Sequence, residues 1–127
     1  MLEVDVLGHG SRPTDPRVRE LAEVTLGTAG IEDGHVAVAF VSPARIAELN
    51  GEFRGKPEPT DVLSFPVDED GDAFGARELG DVVICAEHTT DLEEAVVHGI
   101  LHLVGMDHEV DDGEMLALQA QIMQWLR

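Results

Sequence analysis

HGILHLVGMDH, residues 98–108, is the stretch around which the rest of the chain is organised. His98 and His102 stand four apart, and on an α-helix residues so spaced lie one turn apart on one face. Gly105 follows three residues later and supplies the left-handed turn that ends a helix. The chain is then expected to fold back so that His108 meets the first two. Three neutral imidazoles converging in this way fill three of the four tetrahedral positions around Zn²⁺. The fourth is left for water or substrate, as in catalytic rather than structural zinc sites. Iron, nickel and copper also accept imidazole, but zinc is the ion expected here, one per chain. The residues between the histidines (Ile100, Leu101, Leu103 and Val104) are apolar and would hold the helix in the core.

The spacing is that of the extended zinc-protease signature H-E-x-x-H-x-x-G-x-x-H, with Gly99 at the Glu position. That Glu is the protease's general base. Its replacement by a residue with no side chain removes the group that defines the mechanism, so peptide hydrolysis is not expected.

Upstream of this helix, residues 1–7 (MLEVDVL) alternate apolar and acidic, the pattern of a half-buried strand. A helix is predicted from Asp15 or Pro16 to about Thr28, with Val18, Leu21, Ala22, Thr25 and Leu26 as its inner stripe. His35 to Val41 is apolar on both faces and reads as a strand covered by helices. Ser42-Pro43 caps and starts a second helix. It runs to about Phe53, with Ile46 and Leu49 inward, and is stopped by Gly55 and Pro57. Thr60 to Val67 is a third strand with Pro66 at its exit. The acidic run DEDGDAFGARE (68–78) lacks EF-hand spacing and reads as a solvated loop. Gly80 to Cys85 is a fourth strand. Thr90 with Glu93 forms a capping box before the histidine helix. A last helix starts after Asp111, with Met115, Leu118, Ile122 and Trp125 expected as core packing. The order β-α-β-α-β-β-α-α, with consecutive third and fourth strands, predicts an α+β domain. It has a small mixed four-stranded sheet, an antiparallel pair within it, and the histidine helix packed on it. Residues 1–127 are expected to form one such domain.

Composition narrows the classes of function. There are 26 acidic and 8 basic side chains, a formal charge of −18, and Lys56 is the only lysine. Such a surface repels nucleic acid at long range, since that affinity starts with basic contacts to phosphate. A salt-rich cytoplasm or solubility would account for it. Arg45, Arg54 and Lys56 nevertheless cluster mid-chain and make a local basic spot on an acidic body. No apolar run is long enough to span a bilayer, and the N-terminus lacks the basic start of a signal peptide. With Cys85 as the lone cysteine, a reducing, cytoplasmic location is expected.

Three segments resemble signatures of the YbeY family: LNGEFRGKPEPTDVLSFP (49–66), LGDVVIC (79–85) and HGILHLVGMDH (98–108). The run EMLALQAQIMQWL resembles that family's final helix, so the likeness covers most of residues 36–126. The family comprises bacterial zinc-dependent endoribonucleases of ribosomal RNA maturation and ribosome quality control. The resemblance implies an enzyme that cuts single-stranded RNA, including the 3′ end of small-subunit ribosomal RNA, and works with ribosomes or ribosomal proteins. It implies His98, His102 and His108 as metal ligands and Arg54 as the functionally important arginine. Two departures stand out: the connection between Cys85 and His98 is shorter than in relatives, and Met106 stands where they often have Tyr.

Phosphodiester cleavage needs a Lewis acid on a non-bridging oxygen, a nucleophile, and positive charge for the transition state. Arg54 suits phosphate because its planar fork binds two oxygens at once; without the resemblance it reads as an exposed helix-end arginine. Lys56 is a weaker candidate for substrate binding. Asp107 would either orient a ligand imidazole or cap the turn after Gly105. Asp61 and Ser64 are strand and turn residues with some prospect of lining the pocket. His9, His35 and His88 have no ligand spacing, and Cys85 reads as buried and inert. A non-catalytic ribosome-assembly factor with a structural metal is the alternative, since an acidic body suits protein partners better than free RNA.

Overall fold

The computed structural model describes residues 2–8, 12–67 and 78–127. His9 and nearly all of the acidic loop therefore lie outside the described residues. Four strands and four α-helices follow in the expected order: β1 (Leu2–Leu7), α1 (Asp15–Thr28), β2 (Gly34–Phe40), α2 (Pro43–Arg54), β3 (Val62–Pro66), β4 (Glu78–Ile84), α3 (Leu92–Leu103) and α4 (Glu114–Leu126). A short 3-10 turn, Ala86–His88, sits between β4 and α3.

The strands form one sheet in the order β1-β2-β4-β3. β1 and β2 run parallel, as do β2 and β4, whereas β3 and β4 pair antiparallel. Alternation along β4 shows why helices are needed on both sides. Val82 and Ile84 point into the larger cluster with Leu21, Val36, Val97, Ile100 and Ile122, built by α1, α3 and α4. Val83 and Cys85 point the other way, against Ile46 of α2 and Leu63 of β3. A strand buried on both faces reads as a continuous apolar run. The inner stripe of α1 is as the spacing predicts: Val18, Leu21, Ala22, Thr25 and Leu26 are all buried.

Two local expectations differ from what is observed. The N-cap of α3 is Asp91, not Thr90: its carboxylate accepts from the Glu94 amide at 3.1 Å. Glu93, the presumed partner of Thr90, instead accepts from Arg17 Nη2 at 2.7 Å, and the same nitrogen donates to the Leu126 carbonyl at 2.8 Å. One guanidinium thereby ties α1 to α3 and to the end of α4. α4 starts after Asp111 as expected, with Glu114 as its first helical residue, and Asp111 accepts from the Gly113 and Met115 amides, at 2.8 and 3.0 Å. The second difference is the rotation of α4. Its buried residues are Met115, Gln119, Ile122 and Met123, while Trp125 is 59% exposed. Stepping from 115 to 119 instead of 118 turns the stripe away from Trp125 and puts a polar side chain in the interior.

Candidate metal centre

α3 carries His98 and His102 because seven of its twelve residues are buried, which fixes its rotation against the sheet. Gly99 is central to that packing. A Cβ at this position would lie 2.4 Å from Val82 Cγ1 and 3.1 Å from Val62 Cγ2, so the helix touches the strands through bare backbone. The Gly99 carbonyl accepts from Ser64 Oγ at 2.7 Å, fastening α3 to β3. The position that holds Glu in the protease signature thus faces the sheet here, with no room for any side chain.

The helix ends as the sequence predicts. Gly105 has φ +100°, the Met106 amide reaches the Leu101 carbonyl at 3.1 Å, and the Gly105 amide reaches that of His102 at 3.0 Å. Asp107 then organises the return. Its carboxylate accepts from the Glu109 amide at 2.9 Å, and its carbonyl from the amides of Val110 and Asp111. Of its two candidate roles, Asp107 therefore fills the turn-capping one. That turn brings His108 back over α3. The ring centroids of His98 and His102 are 4.7 Å apart, and each lies 5.1 Å from that of His108. One nitrogen from each ring lies within 4.8 Å of the other two.

The state of the rings suits a cation. Burial, and then the neighbouring His98 and His108, lower the pKa of His102, which favours the neutral imidazole that a metal requires. His98 Nδ1–H donates to Gln119 Oε1 at 2.7 Å. An amide oxygen only accepts, so the proton is held on Nδ1 and Nε2 keeps its lone pair. His108 Nδ1 is buried with no hydrogen-bond partner. Three imidazoles with a fixed lone pair, a lowered pKa and an orphaned buried nitrogen form a donor set that fits a divalent transition-metal ion.

Sequence reasoning missed Gln119. It is 8% exposed, on a helix 21 residues downstream of its partner, and a glutamine in an apolar run carries no spacing signal.

The cluster lies on a cavity of about 490 Å³. Its wall includes Phe53 and Arg54 from the end of α2, Asp61 and Ser64 near β3, and Glu109 beyond His108. α2 delivers Arg54 as its last residue because Gly55, at φ +70°, closes the helix with bonds to the Asn50 and Gly51 carbonyls. The following loop is tied back by the bond from Asn50 Nδ2 to the Glu58 carbonyl, at 2.9 Å. Arg54 is exposed. Arg17, Arg45 and Arg127 each pair with carboxylates, as does Arg12 with Asp15, and Arg19 reaches a carbonyl. Among the described residues, Arg54 makes no such pair, in a chain with 26 acids.

Lys56 sits on the loop after α2 and is not part of the cavity wall. His35 lies elsewhere, held between Asp5 and Glu78. His88 lines a second depression of about 400 Å³, which shares Asp61, Val62 and His98 with the first and is lined by Gln119 as well. Cys85 is fully buried.

Comparison with known proteins agrees with this geometry. Residues 14–127 match the model of the family described as Endoribonuclease YbeY. An Endoribonuclease YbeY of Rubrobacter xylanophilus is 42% identical, over 98% of this chain and 96% of its own length. That of Persephonella marina is 36% identical, over 87% and 82%. The solution structure of a Thermotoga maritima protein superposes with a TM-score of 0.58 at 32% identity, covering 97% of this chain and 88% of that one. With the family model spanning the whole histidine segment and relatives matching over most of their length, the chain belongs to the YbeY family of endoribonucleases.

Proposed function

We propose that this chain is a zinc-dependent endoribonuclease specific for single-stranded RNA. Its substrate is ribosomal RNA, including the 3′ end of the small-subunit RNA, and it acts in the cytoplasm in ribosome maturation and quality control. The observation that carries the reading is the meeting, on one cavity, of three clustered imidazoles and an arginine that pairs with no carboxylate among the described residues. His98, His102 and His108 would hold the ion. When bound, it would supply Lewis acidity toward a phosphate oxygen and bring the pKa of water toward neutrality.

The chain's own residues supply the rest. The Arg54 fork can donate to two oxygens of one phosphate, neutralising charge that grows in the transition state. That role is the same whether water or the RNA's 2′-hydroxyl attacks. Gln119, by accepting from His98 Nδ1, leaves the Nε2 of that ring free for the ion. Lys56, on the loop beyond Arg54, would meet a more distant phosphate. The negative charge of the remaining surface disfavours phosphate elsewhere, which concentrates binding on this spot.

The test is Arg54→Ala assayed on single-stranded RNA, with bound zinc measured alongside. A loss of about 100- to 1,000-fold in cleavage with zinc retained is expected, the scale of losing one charge-stabilising donor. The −18 charge favours a second reading, a ribosome-assembly factor that docks on proteins and uses the metal only as a brace. Unchanged ribosome assembly in the Arg54→Ala strain, with no chelator-sensitive RNA cleavage by the parent, would favour that reading.

A further inference from the structure

Phe53 is exposed where an aromatic ring has no structural reason to be. Its side chain is 62% exposed, whereas Phe40 is 5% exposed and Phe65 is partly buried beneath α2. It is the residue before Arg54 and lines the same cavity as the three histidines. Its ring meets Phe65 edge-on, with centroids 5.1 Å apart and planes at 63°. An edge contact steadies a ring while leaving ring face uncovered.

Among the described residues, the other large exposed apolar side chains, Leu7, Val110, Leu116 and Trp125, do not line this cavity. A steadied aromatic face beside an unpaired guanidinium at the mouth of a histidine-lined cavity matches one ligand chemistry. That ligand is a nucleotide whose base is free to stack and whose phosphate lies within reach of the arginine. We propose that Phe53 is the stacking platform for an unpaired nucleobase of the RNA, adjacent to the phosphate held by Arg54. This deepens the nuclease reading and rests on it.

The platform also supplies a physical source of single-strand preference. In a duplex both faces of every base are already stacked, so a base reaches Phe53 only where the strand is unpaired. Stacking adds affinity that does not depend on charge, which matters on a body that repels phosphate elsewhere.

The experiment measures binding and cleavage of a fluorescein-labelled single-stranded RNA by zinc-loaded parent, Phe53→Leu and Phe53→Tyr proteins. The same RNA carrying one abasic site at successive positions completes the set. Phe53→Leu should weaken binding and raise KM about 10-fold, within the usual range for losing one stacked base. Phe53→Tyr should stay close to the parent, zinc content should be equal in all three, and duplex binding should not change. One abasic position should reproduce the loss in the parent and add nothing in Phe53→Leu. Parental binding by Phe53→Leu, or equal abasic losses in both proteins, would overturn the platform. Binding without chelator-sensitive cleavage by the parent would sink the nuclease reading and leave the stacking result to stand or fall by itself. A parent that binds no single-stranded RNA would overturn both.

Discussion

Histidine occurs in two opposite environments in this molecule. Among the described residues, His98, His102 and His108 gather with no carboxylate hydrogen-bonded to any of their rings; the one side-chain partner is the neutral amide of Gln119. His35 projects from the other face of the sheet, with Nε2 2.7 Å from Asp5 and Nδ1 2.8 Å from Glu78, bridging β1, β2 and β4. Burial and mutual repulsion lower the pKa of His102. The hydrogen bonds it donates to Asp5 and then Glu78 raise that of His35. The same imidazole is thus kept neutral in one place and favoured as a cation in the other. A lone pair is what a metal needs, and a positive charge is what two acids need.

The sharpest way to break this contrast is His102→Ala. The parent should bind about one zinc per chain and the variant much less, measured by elemental analysis of untagged protein after dialysis. RNA cleavage should fall with the zinc. A parent that folds well yet takes up no transition metal would mean that the three histidines are packed together without holding an ion.

Next in size is Gln119→Met, which keeps the volume and removes the acceptor from His98. Zinc affinity should fall about 10- to 100-fold, as for other partners that orient metal-bound histidines, while Gln119→Glu, which still accepts, should recover most of it. Competition with a chromophoric chelator gives the affinities, and equal values for all three proteins would show that the amide does not orient the ring. A smaller effect tests how α3 is seated. Gly99→Ala puts a methyl against Val82, and overpacking of this kind costs about 1–3 kcal/mol, part of it offset by alanine's better helix propensity. Urea denaturation should show the loss, and restoring Glu at this position should not produce peptide cleavage.

The smallest effect concerns His35. Its folded pKa lies above the unfolded value of about 6.5. The stabilisation from its two ion pairs is therefore fully present below that unfolded value and disappears as pH rises through the folded one. Asp5 and Glu78 are well exposed, so the gain should be below about 1 kcal/mol. His35→Gln should be less stable than the parent near pH 6 and indistinguishable from it above the folded pKa. A constant difference across that range would assign the effect to packing.

The local features were legible in the residues themselves. The i, i+4 histidines, the Gly105 turn, the α1 stripe, the Ser42-Pro43 start and the order of elements all depend on neighbours within a turn or two of chain. Helix geometry and backbone sterics act over that distance. The histidine spacing alone was enough to single out three candidate ligands among six histidines.

Tertiary structure decided what those features meet. α4 turned to bury Gln119 and expose Trp125, because packing against α3 rewards the acceptor that His98 lacks. Gly99 owes its identity to Val82 and Val62, on strands 17 and 37 residues earlier. Asp91 displaced Thr90 as the cap of α3 while Glu93 went to Arg17. Phe53 and Arg54 lie beside the histidine cluster because α2 ends at that rim of the sheet, a placement set by β3 pairing with β4 and not by any local pattern. Spacing along the chain determines which residues share a face. The non-local close packing of the faces decides which of them become partners.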